Sequence, residues 1–141
     1  MAEAKRGKTF LVIEDSADDA ALIRRAFESM DLCNAFICRN ISEGKAYIQG
    51  AGMYGNRGKY PFPNAVICDL LLGEESGLQF LSWLKTKSEF PSLPVVVLSG
   101  GASAIEMAQA INQGAADVLR KPARLEDLQI MLADLAAKLC T

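Results

Sequence analysis

The sequence predicts an α/β fold, a single domain of five βα units wound on both faces of a five-stranded parallel sheet. Short apolar runs alternate with helical patterns along 141 residues, a length that suits one domain with a substantial core. The runs AVIC and VVVL are apolar throughout, which is typical of strands buried on both faces. Right-handed crossovers bring the carboxyl ends of all parallel strands to one edge, so polar residues that follow the strands should converge there.

Each element follows from its local pattern. Apolar and β-branched runs bounded by breakers or charges predict strands at residues 8–13, 34–39, 65–68, 95–98 and 117–120. Apolar residues at three- and four-residue steps predict helices at residues 17–30, 42–50, 77–87, 104–113 and 125–139. Ser16, Ser42 and Ser103 are the expected first-turn caps. In the fourth helix, Ile105, Ala108 and Ile111 are expected to face inward.

Two segments leave alternatives open. The last helix carries a leucine stripe that favours core packing, because fewer than three heptads are short for a coiled coil. A homodimer through this C-terminal helix is the alternative.

Residues 50–63 contain four glycines and two prolines, so no regular element is expected there. We favour a tolerated insertion over a partner contact for this loop.

Composition excludes several classes of function. The net charge of −2 argues against bulk nucleic-acid binding. No apolar run is long enough to span a membrane and no signal peptide is recognisable, so the protein is expected to be cytoplasmic, with no membrane contact. The four cysteines form no CxxC pair and are expected to be small buried hydrophobes. The sequence contains no histidine, which excludes a Ser/His/Asp triad and a phosphohistidine within it.

Polar residues follow four of the five predicted strands. Glu14 and Asp15 end the first strand, Asp69 the third, Ser99 the fourth and Lys121 the fifth. Capping of the next helix does not explain Glu14 and Asp15, because both precede the cap, whereas Asp69 alone could be a turn cap. Clustered carboxylates repel one another, and Mg²⁺ with oxygen ligands relieves that repulsion. A phosphoryl group would complete such a site.

This ordered set resembles the receiver domain of two-component response regulators, which act in phosphorelay signal transduction. The motifs are the acidic pair, Asp69 after an apolar strand, Ser99 after VVVL, and the dipeptide Lys121–Pro122. The resemblance implies a flavodoxin-like receiver fold over residues 9–141, after a short N-terminal extension at residues 1–8. A narrower likeness is to single-domain receivers, without an output domain, that partner bacterial phytochromes.

The resemblance also implies a role for each residue around Asp69. Asp69 would be the phosphoacceptor, and the donor would be a phosphohistidine on a sensor histidine kinase or a histidine phosphotransfer protein. Mg²⁺ would be held by Glu14, Asp15, Asp69 and the backbone carbonyl of Leu71. The chain would then be a signalling phosphoprotein rather than an enzyme, catalysing at most its own phosphorylation and dephosphorylation.

Further roles concern the switch. In the family the lysine pairs with the phosphoacceptor, which here implies Lys121, and Ser99 would hydrogen-bond a phosphoryl oxygen. Pro122 would follow a cis peptide bond. Val118 occupies the switch position where the family usually has an aromatic ring, so signalling through a swinging ring is not expected. Gly73 stands where proline is frequent in the family.

Three alternatives compete with a phosphorylated receiver. A pseudo-receiver would keep the fold as a protein-binding module, and the departures at Val118 and Gly73 favour it, whereas the complete site set argues against it. An aspartate-nucleophile phosphatase needs a general acid two residues after the nucleophile, where Leu71 cannot transfer protons. A nucleotide-binding fold lacks support because the turn after the first strand, EDSADD, has no glycine-rich phosphate cradle.

Overall fold

A computed structural model describes residues 8–30, 33–87 and 92–139 of the chain. Its centre is a five-stranded sheet in the order β2-β1-β3-β4-β5, in which every neighbouring pair is parallel. The strands are β1 (Lys8–Ile13), β2 (Cys33–Cys38), β3 (Ala65–Cys68), β4 (Val95–Ser99) and β5 (Asp117–Arg120). The predicted fold class is therefore confirmed, and each strand lies within one residue of its predicted position.

Helices connect the strands. They are α1 (Ala17–Glu28), α2 (Ile41–Gln49), α3 (Gly77–Lys85), α4 (Ala104–Asn112) and α5 (Leu125–Leu139). The Ser16 hydroxyl accepts from the Asp19 N–H, and Ser103 forms a reciprocal capping box with Glu106, as the sequence predicts. The expected cap Ser42 is wrong, because α2 begins one residue earlier and the Asn40 side chain accepts from the Glu43 N–H.

The core forms two layers because successive strand residues point to opposite faces of the sheet. Leu11 and Ile13 pack with α2 and α3 on one face, whereas Phe10 and Val12 pack with α1 and α5 on the other. The central leucines of the α5 stripe are buried in this second layer, which is the core packing that the sequence favours: Leu128, Leu132 and Leu135. No helix within the described ranges is both long and apolar enough to cross a membrane.

Helix α4 turns a different face to the core from the one predicted. Ile105 is 73% exposed and Ile111 is 51% exposed, whereas Ala110 is buried and Met107 packs against the core. Ala108 is also exposed, so the inward prediction for Ile105, Ala108 and Ile111 is wrong. Apolar residues lie on nearly every side of this helix, so their spacing alone does not single out the face that packs on the sheet.

Residues 50–63 fold back onto α2. The prediction of no regular element is wrong, because Gly52–Gly55 forms one 3₁₀ turn. The Tyr47 hydroxyl donates to the Pro61 carbonyl oxygen at 2.7 Å, and the Arg57 guanidinium donates to the Ile48 carbonyl oxygen at 3.0 Å. Gly50 ends α2 with a φ of 66°, a left-handed conformation that glycine adopts without strain. The loop is thus anchored to α2 by one side chain from the helix, Tyr47, and one from the loop, Arg57.

Cysteine placement follows the prediction where the structure describes it. Cys33, Cys38 and Cys68 are buried, and burial raises the pKa of the Cys38 thiol to about 11. At neutral pH the Cys38 side chain is therefore a neutral thiol, as a small buried hydrophobe should be. Cys140 lies outside the described residues.

Candidate functional site

The carboxyl edge of the sheet brings the predicted site residues together. Backbone hydrogen bonds continue the sheet beyond the last residues of its strands. The Glu14 N–H donates to the Cys38 carbonyl oxygen at 2.9 Å, and the Asp69 N–H donates to the Ile13 carbonyl oxygen at 3.0 Å. The Lys121 N–H donates to the Ser99 carbonyl oxygen at 3.0 Å. These bonds fix the backbone of three site residues relative to one another. The site therefore rests on the sheet rather than on a mobile loop.

The Lys121 ammonium lies among three carboxylates. Its Nζ donates to Glu14 Oε1 at 2.7 Å, to Asp19 Oδ2 at 2.7 Å and to Asp69 Oδ2 at 2.9 Å. An ammonium has three N–H donors, so each donor has a partner. Burial alone would lower the pKa of Lys121, but the three hydrogen bonds outweigh it and raise the pKa above its ordinary value. Lys121 is therefore charged at neutral pH.

Asp69 is held on both carboxylate oxygens. Oδ2 accepts from Lys121, Oδ1 accepts from the Leu71 N–H at 3.0 Å, and the residue is only 6% exposed. The glycine at position 77 lets the backbone pass close to Asp69, because a Cβ at that residue would collide with the Asp69 carbonyl oxygen. The Gly77 N–H also donates to the Leu70 carbonyl oxygen at 2.8 Å. The two hydrogen bonds thus hold the Asp69 carboxylate in a defined orientation.

Three acids form a cluster suited to a divalent cation. Glu14, Asp15 and Asp69 each place one carboxylate oxygen so that all three lie within 4.8 Å of one another. Burial raises the pKa of Glu14, hydrogen bonds from Lys121 and the Ser16 N–H oppose that rise, and the Asp69 charge adds to it. This oxygen-only set matches the ligands that hard cations prefer. The residues present therefore fit a divalent cation.

Ser99 brings an unpaired hydroxyl to the site. The residue is 1% exposed, and its Oγ has no hydrogen-bond partner among the residues that the structure describes. Buried polar atoms in folded proteins are nearly always paired, so an unpaired hydroxyl at a sheet edge marks a place for a further group. The resemblance to receiver domains implies a phosphoryl oxygen as that group.

The peptide bond before Pro122 differs from the prediction. The predicted cis bond before Pro122 is wrong, because every peptide bond in the described ranges is trans. The trans form is the intrinsically favoured one for an X-Pro bond. The Lys121 side chain is held by the backbone hydrogen bond of this residue to Ser99 and by the three carboxylates.

Asp19 is the site residue that sequence reasoning missed. The helix dipole favours acids in the first turn of α1, so an aspartate at this position does not by itself indicate a site residue. Its carboxylate nevertheless contacts Lys121, which lies 102 residues away in the sequence. The available signal was its spacing, one helical turn after Asp15, which directs the side chain back toward the strand end.

Comparison with known families decides the identity of the chain. The model of the response regulator receiver domain matches residues 10–133. The chain belongs to the response regulator receiver family. This confirms the resemblance inferred from the acidic pair, Asp69, Ser99 and Lys121, and places the chain among the receivers of two-component systems.

Individual relatives agree with this assignment. The probable methanogenesis regulatory protein FilR2 of Methanothrix harundinacea is 30% identical over 127 residues, which cover 90% of this chain and 80% of the relative. The response regulator Rcp1 of Synechocystis is 30% identical over 98 residues, covering 69% of this chain and 65% of Rcp1.

Solved structures show the same fold. The structure of Mn²⁺-bound Rcp1 matches with a TM-score of 0.78 and 26% identity, covering 92% of each chain. The response regulator RPA3017, in red light signalling of R. palustris, matches with a TM-score of 0.82 and 25% identity, covering 92% of this receiver and 91% of RPA3017.

Proposed function

We propose that this receiver accepts a phosphoryl group on Asp69 from a phosphohistidine of a sensor histidine kinase or histidine phosphotransfer protein, with Mg²⁺ bound beside it. One observation carries the proposal. Asp69 is a buried carboxylate at a strand end, oriented through both oxygens, with the Lys121 ammonium and the acids Glu14 and Asp15 close to it. A carboxylate fixed at the carboxyl end of a strand suits a nucleophile.

Covalent transfer onto Asp69 balances without further groups. An Asp69 carboxylate oxygen attacks phosphorus and forms an O–P bond, while the P–N bond of the donor breaks and its electron pair leaves with the imidazole nitrogen. The Leu71 N–H and the Lys121 ammonium hold the carboxylate in place for this attack. Lys121 also supplies a positive charge beside the position where phosphoryl oxygens arrive.

The acidic cluster would hold the cation. Glu14, Asp15, Asp69 and the Leu71 carbonyl are the proposed ligands, and the oxygen chemistry of the three carboxylates supports the assignment. When bound, Mg²⁺ supplies positive charge that offsets the charge on the phosphoryl oxygens. The Mn²⁺-bound structure of Rcp1 concerns that relative, and it supports a divalent cation for this one.

Signalling would begin at Ser99. Its unpaired hydroxyl would donate to a phosphoryl oxygen and draw the following loop inward. The Arg120 guanidinium donates to the Ala102 carbonyl oxygen at 3.0 Å, which ties that loop to β5. Val118 is partly buried beside the core and carries no ring that could swing. We therefore propose that the change passes through the loop backbone and α5 instead of an aromatic side chain.

Phosphorylation by a small donor tests the proposal. The protein is incubated with phosphoramidate and Mg²⁺, and its intact mass should show one added phosphoryl group. Asp69→Asn should abolish the adduct, whereas Asp134→Asn, an exposed acid on α5, should leave it unchanged. If neither the small donor nor a histidine kinase adds a phosphoryl group to the unaltered protein, the proposal fails and a pseudo-receiver that binds partners is favoured.

A further inference from the structure

Asp19 closes a ring of hydrogen bonds between Lys121 and the start of α1. Lys121 donates to Glu14 Oε1, and Glu14 Oε2 accepts from the Ser16 N–H at 3.1 Å. The Ser16 hydroxyl accepts from the Asp19 N–H at 3.3 Å, and Asp19 Oδ2 accepts from Lys121. Two side chains therefore connect the Lys121 ammonium to Ser16, the N-cap of α1. One is Glu14 and the other is Asp19.

We propose that Asp19 is a positioning residue for Lys121, which holds the ammonium in the unphosphorylated protein and releases it when Asp69 is phosphorylated. The first turn of α1 would then differ between the two states. This inference rests on the proposed function, because the release depends on a phosphoryl group at Asp69. It gives the chain a route from the site to α1 that needs no aromatic ring at Val118.

Burial decides which partner Lys121 gives up. The three N–H donors are all used, so an ammonium that moves toward a phosphoryl oxygen must weaken at least one contact. Once Asp69 is an acyl phosphate, its carboxylate charge is gone and Lys121 follows the phosphoryl oxygens, so the two acids that it can leave are Glu14 and Asp19. The side chain of Glu14 is only 2% exposed, whereas that of Asp19 is 35% exposed. Water can replace the ammonium at Asp19 at little cost, but not at the buried Glu14. The hydrogen bond between Lys121 and Asp19 is therefore the contact that breaks.

The negative charge of the phosphoryl group attracts the Lys121 ammonium. A phosphoryl group carries about −1.5 to −2 charges at neutral pH, compared with the single charge of Asp19. In the unphosphorylated protein Asp19 competes with an incoming phosphodonor for the ammonium of Lys121. Removing the Asp19 charge should therefore make Lys121 more available to the donor and speed acceptance.

Asp18 offers a matched control for this test. It lies beside Asp19 in the same first turn, is exposed, and carries the same charge. Asp18→Asn therefore reproduces the loss of one negative charge near the site and of one acid at the helix dipole. The experiment measures the rate of phosphorylation of Asp69 by phosphoramidate and Mg²⁺ in the unaltered protein, Asp19→Asn and Asp18→Asn. Amide NMR shifts of residues 17–20 are recorded before and after phosphorylation.

Asp19→Asn should accept the phosphoryl group about threefold faster than the unaltered protein, the size expected for loss of one partly exposed ion pair. Asp18→Asn should match the unaltered protein. Phosphorylation should shift the amides of residues 17–20 in the unaltered protein and in Asp18→Asn, and much less in Asp19→Asn.

Equal rates and equal amide shifts in the two variants would overturn the inference while leaving phosphorylation of Asp69 intact. A failure of all three proteins to gain a phosphoryl group would overturn the proposed function, and the inference with it. A structural role for Asp19 in α1 alone would lower stability without changing the phosphorylation-dependent shifts, and would also count against the inference.

Discussion

Replacing Lys121 by Met should destabilise the protein in the absence of divalent cations. Methionine keeps the apolar stem of lysine but removes the ammonium that Glu14, Asp19 and Asp69 share. The acids then face one another without a neutralising charge. The folded state should lose stability because two of them are held away from water.

The expected magnitude follows from the exposure of each acid. Removing one partner of a fully buried ion pair costs about 3–5 kcal/mol, whereas an exposed pair contributes about 0–1 kcal/mol. Glu14 and Asp69 are nearly buried, but the cluster opens to solvent at Asp15 and Asp19. We therefore expect Lys121→Met to lower the free energy of unfolding by about 2–3 kcal/mol.

Urea denaturation at neutral pH with a chelator measures this loss, and Lys138→Met provides the control. Lys138 pairs with Asp134 on the surface of α5 at 3.1 Å, so its replacement should cost at most about 0.5 kcal/mol. Added Mg²⁺ should narrow the gap between Lys121→Met and the unaltered protein. Equal stability of the two lysine variants without cation would refute the electrostatic account of the site.

Two further predictions concern the chemistry of the site. Leu71 is 42% exposed beside Asp69, and its apolar side chain should shield the acyl phosphate from water. The Leu71→Asn variant should therefore lose its phosphoryl group faster than the unaltered protein. Equal dephosphorylation rates, measured by intact mass, would contradict this. The pKa of Glu14 is raised on folding, so the folded state binds that proton more tightly and gains stability as pH falls from neutral toward the ordinary Glu value. Glu14→Gln should lack this gain in cation-free urea denaturation, and parallel pH profiles of the two proteins would show the reasoning to be wrong.

The strand ends were predictable because parallel topology leaves few choices. Once apolar runs and helical periods alternate, the handedness of the crossovers sends Glu14, Asp69, Ser99 and Lys121 to one edge, whatever the details of the loops. The contact of Lys121 with Asp69 follows from that convergence. Local pattern and topology agree here, so the sequence was sufficient to predict that these four residues lie at one edge of the sheet.

Other features depend on tertiary contacts that local pattern does not encode. The contact of Asp19 with Lys121 joins two elements far apart in sequence, and helix-dipole reasoning already explained the acid locally. Helix α4 is apolar around most of its circumference, so only packing reveals that Ile105 and Ile111 face outward. The isomer before Pro122 was expected from a family resemblance, and the structure has the trans form.

Chemical trapping of the acyl phosphate tests the central claim most directly. After treatment with phosphoramidate and Mg²⁺, borohydride reduces an aspartyl phosphate to homoserine, and peptide mass spectrometry locates the converted residue. We predict homoserine at position 69 alone, and none in protein that received no phosphodonor. Conversion at another acid, or no conversion in protein that has gained a phosphoryl group, would contradict the assignment of Asp69 as phosphoacceptor.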